Sequence, residues 1–130
     1  MIEPRADQAL AVVAVLLTKH FVFDFVLQTR YQLANKHAYG HPGGLQHAAL
    51  HLAGTLPAFF LAPPSFRLGA VILAAEFVVH YHVDWIKEQL LRRSRWSHGD
   101  PRFWAVFGAD QLIHGLGYIA IAWILTSIRW

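Results

Sequence analysis

The chain has no cysteine. That excludes disulfides and thiolate metal ligands, so nitrogen and oxygen are the donors a metal ion would meet. Charge is scarce too. Asp, Glu, Lys and Arg make up 15% of the 130 residues and hydrophobic types 55%, whereas soluble domains carry about 25% charged residues. The formal charge is +3, but the basic residues sit between apolar runs rather than along a soluble face. Nucleic acid is therefore not an expected partner. A cleavage motif of small residues is also missing after the first apolar run, and Glu3 and Asp7 precede that run. It reads as a retained helix, not a removed signal peptide.

What the chain does have is four apolar segments of nearly the length, about 20 residues, that crosses a bilayer. They cover residues 7–29, 44–62, 66–91 and 101–127. Pro63-Pro64 ends the second, and Pro57 should kink it. Asp100-Pro101 supplies an N-cap and a first-turn proline for the fourth. The expectation is an all-α, four-helix transmembrane bundle, with residues 1–130 as a single integral membrane domain.

Loop charge suggests an orientation. Arg30 and Lys36 follow the first span; Lys87, Arg92, Arg93, Arg95 and Arg102 lie around the end of the third; the other side has Arg5, Arg67 and Arg129. The positive-inside rule then puts both termini outside the cytoplasm. Trp85, Trp96 and Trp104 would mark the cytoplasmic interface, and Trp130 the opposite one.

The ionisable residues inside the spans fall into pairs spaced i, i+4: His20 and Asp24, His47 and His51, His80 and Asp84, Asp110 and His114. Each pair occupies one helix face. With alternating helix direction, His20, His51, His80 and His114 form a deeper layer, and Asp24, His47, Asp84 and Asp110 a shallower one. The stretches HFVFDFVLQ and HYHVDWIKE correspond at an offset of sixty, and HAALH corresponds to DQLIH at sixty-three. This suggests two tandem helical hairpins, residues 7–62 and 66–127, related by an internal pseudo-twofold repeat along the membrane normal.

Three aspartates in spans need compensation, since one at a helix centre costs about 2.5–3.5 kcal/mol. A bound cation supplies it, and facing helices of a bundle are a known way to build metal sites. The expected ligands are His20, Asp24, His47, His51, His80, Asp84, Asp110 and His114, and the expected ions Zn, Fe or Mn. Eight donors suggest two ions, or one ion with outer carboxylates that orient the histidines. Gln28 and Lys87 are substrate candidates for an anionic head group. Glu76, near mid-membrane, is a catalytic candidate together with Lys87, and Lys19 at similar depth is an alternative counter-charge to Glu76.

The functional expectation is a metal-dependent enzyme embedded in the bilayer, a hydrolase of lipid or amphipathic substrates working under the cytoplasmic leaflet. Rival readings are a non-haem di-iron oxidoreductase, a b-haem electron-transfer protein with room at Gly54, Gly115 and Gly117, and a divalent-metal carrier. Oligomerisation is compatible with all of them.

Together the motifs resemble a bacterial family of small membrane proteins of unknown function. Its pattern is H-x3-D-F-x-x-Q, a following basic residue, H-x3-H, H-x3-D-x-x-K and D-Q-x-x-H. Here these are His20, Asp24, Phe25 and Gln28; Lys36; His47 and His51; His80, Asp84 and Lys87; Asp110, Gln111 and His114. Phe23 stands where that family commonly has a small residue. The resemblance implies a bacterial inner-membrane location and no particular reaction.

Overall fold

The computed structural model describes residues 4–127; Glu3, Arg129 and Trp130 lie outside the described residues. The fold is all-α, with no strand among those residues. Helix α1 (Pro4–Phe21) runs into a π-helical turn (Val22–Val26). A short α2 (Arg30–Asn35) follows, then α3 (Pro42–Leu61), α4 (Phe66–Ser94) and α5 (Pro101–Ser127). Helix α1 packs against α3 and α5, and α4 packs against the same two.

Local chemistry sets most boundaries. Thr29 and Gln32 form a capping box that starts α2. The His41 ring accepts from Gly43 N–H ahead of Pro42, and Ser65 accepts from Leu68 N–H to start α4. Helix α4 ends at Arg95, which adopts a left-handed conformation with φ 55°. Asp100 accepts from the backbone N–H and the guanidinium of Arg102. The guanidinium bonds, more than the backbone one, hold its carboxyl below the usual aspartate range.

The first helix departs from the expected 7–29 span. Regular α-helix stops at Phe21, and Leu27 N–H donates to Val22 O at 2.8 Å, an i→i+5 bond. One extra residue per turn shifts the register of everything after it. Asp24 lies inside this turn.

Among the described residues, three helical segments are long and apolar enough to cross a membrane: Arg5–Val26, Phe66–Ser94 and Pro101–Ser127. Helix α3 has 20 residues and runs through Pro57. Its N-terminal half carries Gly43, Gly44, Gln46, His47 and His51, polar and small residues that dilute its apolar character.

The loop between α2 and α3 is fastened to α4. Trp85 and Gln89 both donate to His37 O, at 3.1 and 2.6 Å, and Tyr81 hydroxyl accepts from Gly40 N–H. Gly40 has φ +76°, a conformation that suits glycine. These bonds hold Lys36 inward. Its loop position suggests a solvated cytoplasmic charge, yet it is 4% exposed.

Candidate metal centre

At one end of the helix assembly the contacts are apolar: Val12 and Leu16 of α1, Ala58 of α3, Ile72 of α4, and Tyr118, Ala122 and Leu125 of α5. Further along the same helices the buried side chains are His20, His47, His51, His80, Asp84, Asp110 and His114.

The deeper histidine layer forms as the spacing suggests. Ring centroids are 3.8 Å apart for His51 and His80, 4.2 Å for His80 and His114, 5.0 Å for His20 and His114, and 5.4 Å for His20 and His51. The shallower residues meet them. Asp24 Oδ1 lies 3.0 Å from His47 Nε2 and 3.0 Å from His51 Nε2, and His47 Nε2 lies 3.2 Å from His80 Nε2. On the other flank, Asp84 Oδ1 lies 3.4 Å from His114 Nε2, and Asp84 Oδ2 lies 3.6 Å from His80 Nε2.

Two donor groups therefore have the reach to hold an ion: Asp24, His47, His51 and His80, and separately His80, Asp84 and His114. They share the His80 ring. A tetrahedral ion with bonds of about 2.0 Å keeps its ligand atoms about 3.3 Å apart. Three of the six separations in the first group, 3.0, 3.0 and 3.2 Å, are near that edge length, and all six lie within 4.8 Å.

The π-helical turn accounts for Asp24. It carries the carboxylate toward α3, where it meets both His47 and His51, while its second oxygen stays 3.2 Å from His20 one turn back. Phe23 fills the space at Gly54, where a Cβ would lie 2.6 Å from Phe23 Cε2. The bulky residue before Asp24 is thus matched by a glycine across the interface.

Not every expected ligand joins a donor group. His20 Nδ1 pairs with Tyr118 hydroxyl at 2.9 Å, and its Nε2 with Gln111 Oε1 at 3.0 Å. Asp110 lies 3.4 Å from His114 and 3.3 Å from Lys87 Nζ. Lys36 Nζ is 2.7 Å from Asp84 Oδ2. Asp84 and Asp110 therefore each have a lysine beside them, and Asp24 faces imidazoles instead. His80 Nδ1 and Asp110 Oδ1 are buried without a hydrogen-bond partner, which is costly in a closed interior.

Gln28 reaches His47 Nδ1 at 3.2 Å through its amide. The amide's N and O exchange by a half-turn. With the oxygen toward the ring, it would hold the proton on Nδ1 and leave Nε2 free as a ligand.

Glu76 lies apart from both donor groups. It pairs with Lys19, and Thr55 hydroxyl donates to it at 2.7 Å. Lys19 also donates to His51 O at 3.0 Å, so the Glu76–Lys19 pair braces the helix turn that carries His51. His82, two residues past His80, turns away to Tyr39 hydroxyl at 3.0 Å and Val78 O at 2.7 Å.

Spacing along the chain assigns no site partner to Lys36, Gln111 or Tyr118. Lys36 and Gln111 are visible in the motif pattern but carry no role there. Only the fold shows that Lys36 touches Asp84 and that Gln111 and Tyr118 touch His20.

A family model described as "Protein of unknown function (DUF3307)" matches residues 12–129. No curated protein and no solved structure gives a significant match.

Proposed function

The chain belongs to the DUF3307 family, and we propose that it is a membrane-embedded, metal-dependent enzyme whose ion is held by Asp24, His47, His51 and His80. The observation that carries the reading is the convergence of those four donors within 4.8 Å of one another, with three of their separations at 3.0–3.2 Å. A hydrogen-bond network alone explains it less well. His47 Nε2 lies 3.0 Å from Asp24 Oδ1, 3.3 Å from Asp84 Oδ2 and 3.2 Å from His80 Nε2, more partners than its single N–H can serve.

In this reading Asp84, Asp110 and His114 are the outer set rather than a second complete site. One His80 nitrogen cannot ligate two ions, and Lys36 and Lys87 already offset those two aspartates. Helices α1, α3, α4 and α5 then make a four-helix transmembrane bundle of two repeated hairpins in a bacterial inner membrane, with both termini outside. Haem fits poorly: imidazoles 3.8–5.4 Å apart leave no slot for a macrocycle, and the Gly54 space is occupied by Phe23.

A divalent ion there would supply Lewis acidity and lower the pKa of a bound water to about 7. Around it, Gln28 sets the His47 tautomer and Gln111 and Tyr118 orient His20. Lys87 is positioned to meet negative charge developing on the scissile group. Hydrolysis is the reaction this favours: water adds to the scissile centre, the bond to the leaving group breaks, and the leaving group departs with the proton.

Elemental analysis of the purified protein is the test. The expected result is one first-row divalent ion per chain, with release of product from lipid-ester substrates in nanodiscs that stops on chelation. A folded, helical protein with no bound metal would overturn the reading. A cysteine at Ser97 should resist labelling from outside intact cells; free labelling would reverse the orientation.

A further inference from the structure

Beside the shallow layer lies a cavity of about 550 Å³, bounded by the π-helical turn, α2, the C-terminal part of α4 and the start of α5. Its polar lining includes Asp24, Gln28, Lys36, Lys87, Arg92 and Gln111. Asp24 belongs to both the cavity and the donor group, and Gln28 links the cavity to His47, so an ion at Asp24 would face this space. Aromatic side chains line the same space: Phe25, Trp96, Phe103 and Phe107, with Lys87 Nζ 5.9 Å from the Phe107 ring centre.

We propose that this chamber is a phosphate subsite for the substrate, taking the phosphate ester of an amphiphile against Lys87, Lys36 and Arg92 while its apolar stem lies on the aromatic rings. The proposal rests on the metal reading for its net charge. Around the chamber and the donor group, Asp24, Asp84, Asp110 and Glu88 stand against Lys36, Lys87 and Arg92. Four carboxylates and three cations leave one negative charge. A divalent ion turns that into one positive charge, and a phosphate monoanion matches it.

The lysines suit this role by position. Lys36 and Lys87 have buried stems, and each already lies within 4 Å of a carboxylate. An ammonium has three N–H donors, so one that bonds a carboxylate keeps others for a ligand. Ammonium and guanidinium donors bind phosphate oxygens through charge-assisted hydrogen bonds. Gln28 and Gln111 add amide donors from two other sides. The volume exceeds what inorganic phosphate needs, and the four aromatic rings would have no task with phosphate alone.

The test measures binding of three probes to the metal-containing protein in detergent: short-chain phosphatidylglycerol, inorganic phosphate, and short-chain diacylglycerol. Metal content is assayed in parallel. Phosphatidylglycerol should bind, diacylglycerol should not, and Lys87→Gln should weaken binding by about tenfold with metal retained. Arg92→Gln, on an exposed residue, should weaken it by a smaller factor and covers the case in which Lys87→Gln fails to fold. If inorganic phosphate binds as tightly as the lipid, the subsite stands and its ligand is free phosphate. If diacylglycerol matches phosphatidylglycerol, or neither substitution affects binding in metal-loaded protein, the subsite is wrong and the metal reading survives. Phosphate binding by a protein without metal would overturn the metal reading instead.

Discussion

From Val12 to Leu16 on α1, and across to Ala58, Ile72 and Ala122, the helices meet through small and aliphatic side chains. Farther along the same helices they meet through imidazoles, carboxylates and lysines. The apolar end depends on shape, because helices in lipid associate by close approach rather than by any hydrophobic gain. At the polar end, each buried charge must be answered, so each side chain's position depends on the others. The first end holds the helices together, and the second fixes their register.

That contrast can be broken most forcefully at Lys36. Removing it leaves Asp84 buried without its nearest cation, and breaking such a pair costs about 3–5 kcal/mol. Lys36→Ala should lower the thermal unfolding midpoint in detergent more than any single truncation at the apolar end. Equal sensitivity of Ala58→Gly would erase the distinction between the two ends.

His80 and His82 test whether position or composition matters. His80→Ala should remove most bound metal, because its ring belongs to both donor groups. His82→Ala should leave metal per chain unchanged, since His82 is directed at Tyr39. Elemental analysis of the two variants decides it. Similar depletion in both would mean that histidines here are interchangeable polar glue.

His51 and His114 sharpen the polar end itself. They occupy matching positions in the repeated sequence motifs but fall in different donor groups. For a single ion at Asp24, His51→Ala should lose the metal and His114→Ala should keep most of it. Equal loss would mean a site closed symmetrically by two half-repeats.

Gly54 should give a smaller effect. A methyl group there presses on the Phe23 ring, and overpacking of this kind costs about 1–3 kcal/mol. Gly54→Ala should lower the unfolding midpoint modestly, and adding Phe23→Leu should recover part of the loss. Glu76→Gln, like His82→Ala, is expected to leave metal content close to unchanged. Glu76 contacts Lys19 and Thr55 rather than either donor group, so occupancy should persist. Metal loss in that variant would make Glu76 a ligand.

The helical class is legible in the chain alone, because apolar runs of bilayer length bounded by proline and capping residues leave little else to form. So are the two histidine and aspartate layers, because a spacing of four residues puts both members of a pair on one face of any α-helix. Other features appear only once the helices are packed together. The π-helical turn at Val22–Val26 leaves no periodicity signal in a stretch as short as HFVFDFVLQ, yet it determines which histidines Asp24 meets. Lys36 looks like any basic loop residue until the loop is bonded back onto α4 through Trp85 and Gln89. Which of the eight candidate ligands fall into the two donor groups, and which meet a lysine, a hydroxyl or an amide instead, depends on distances between helices, and spacing along one helix carries no information about those.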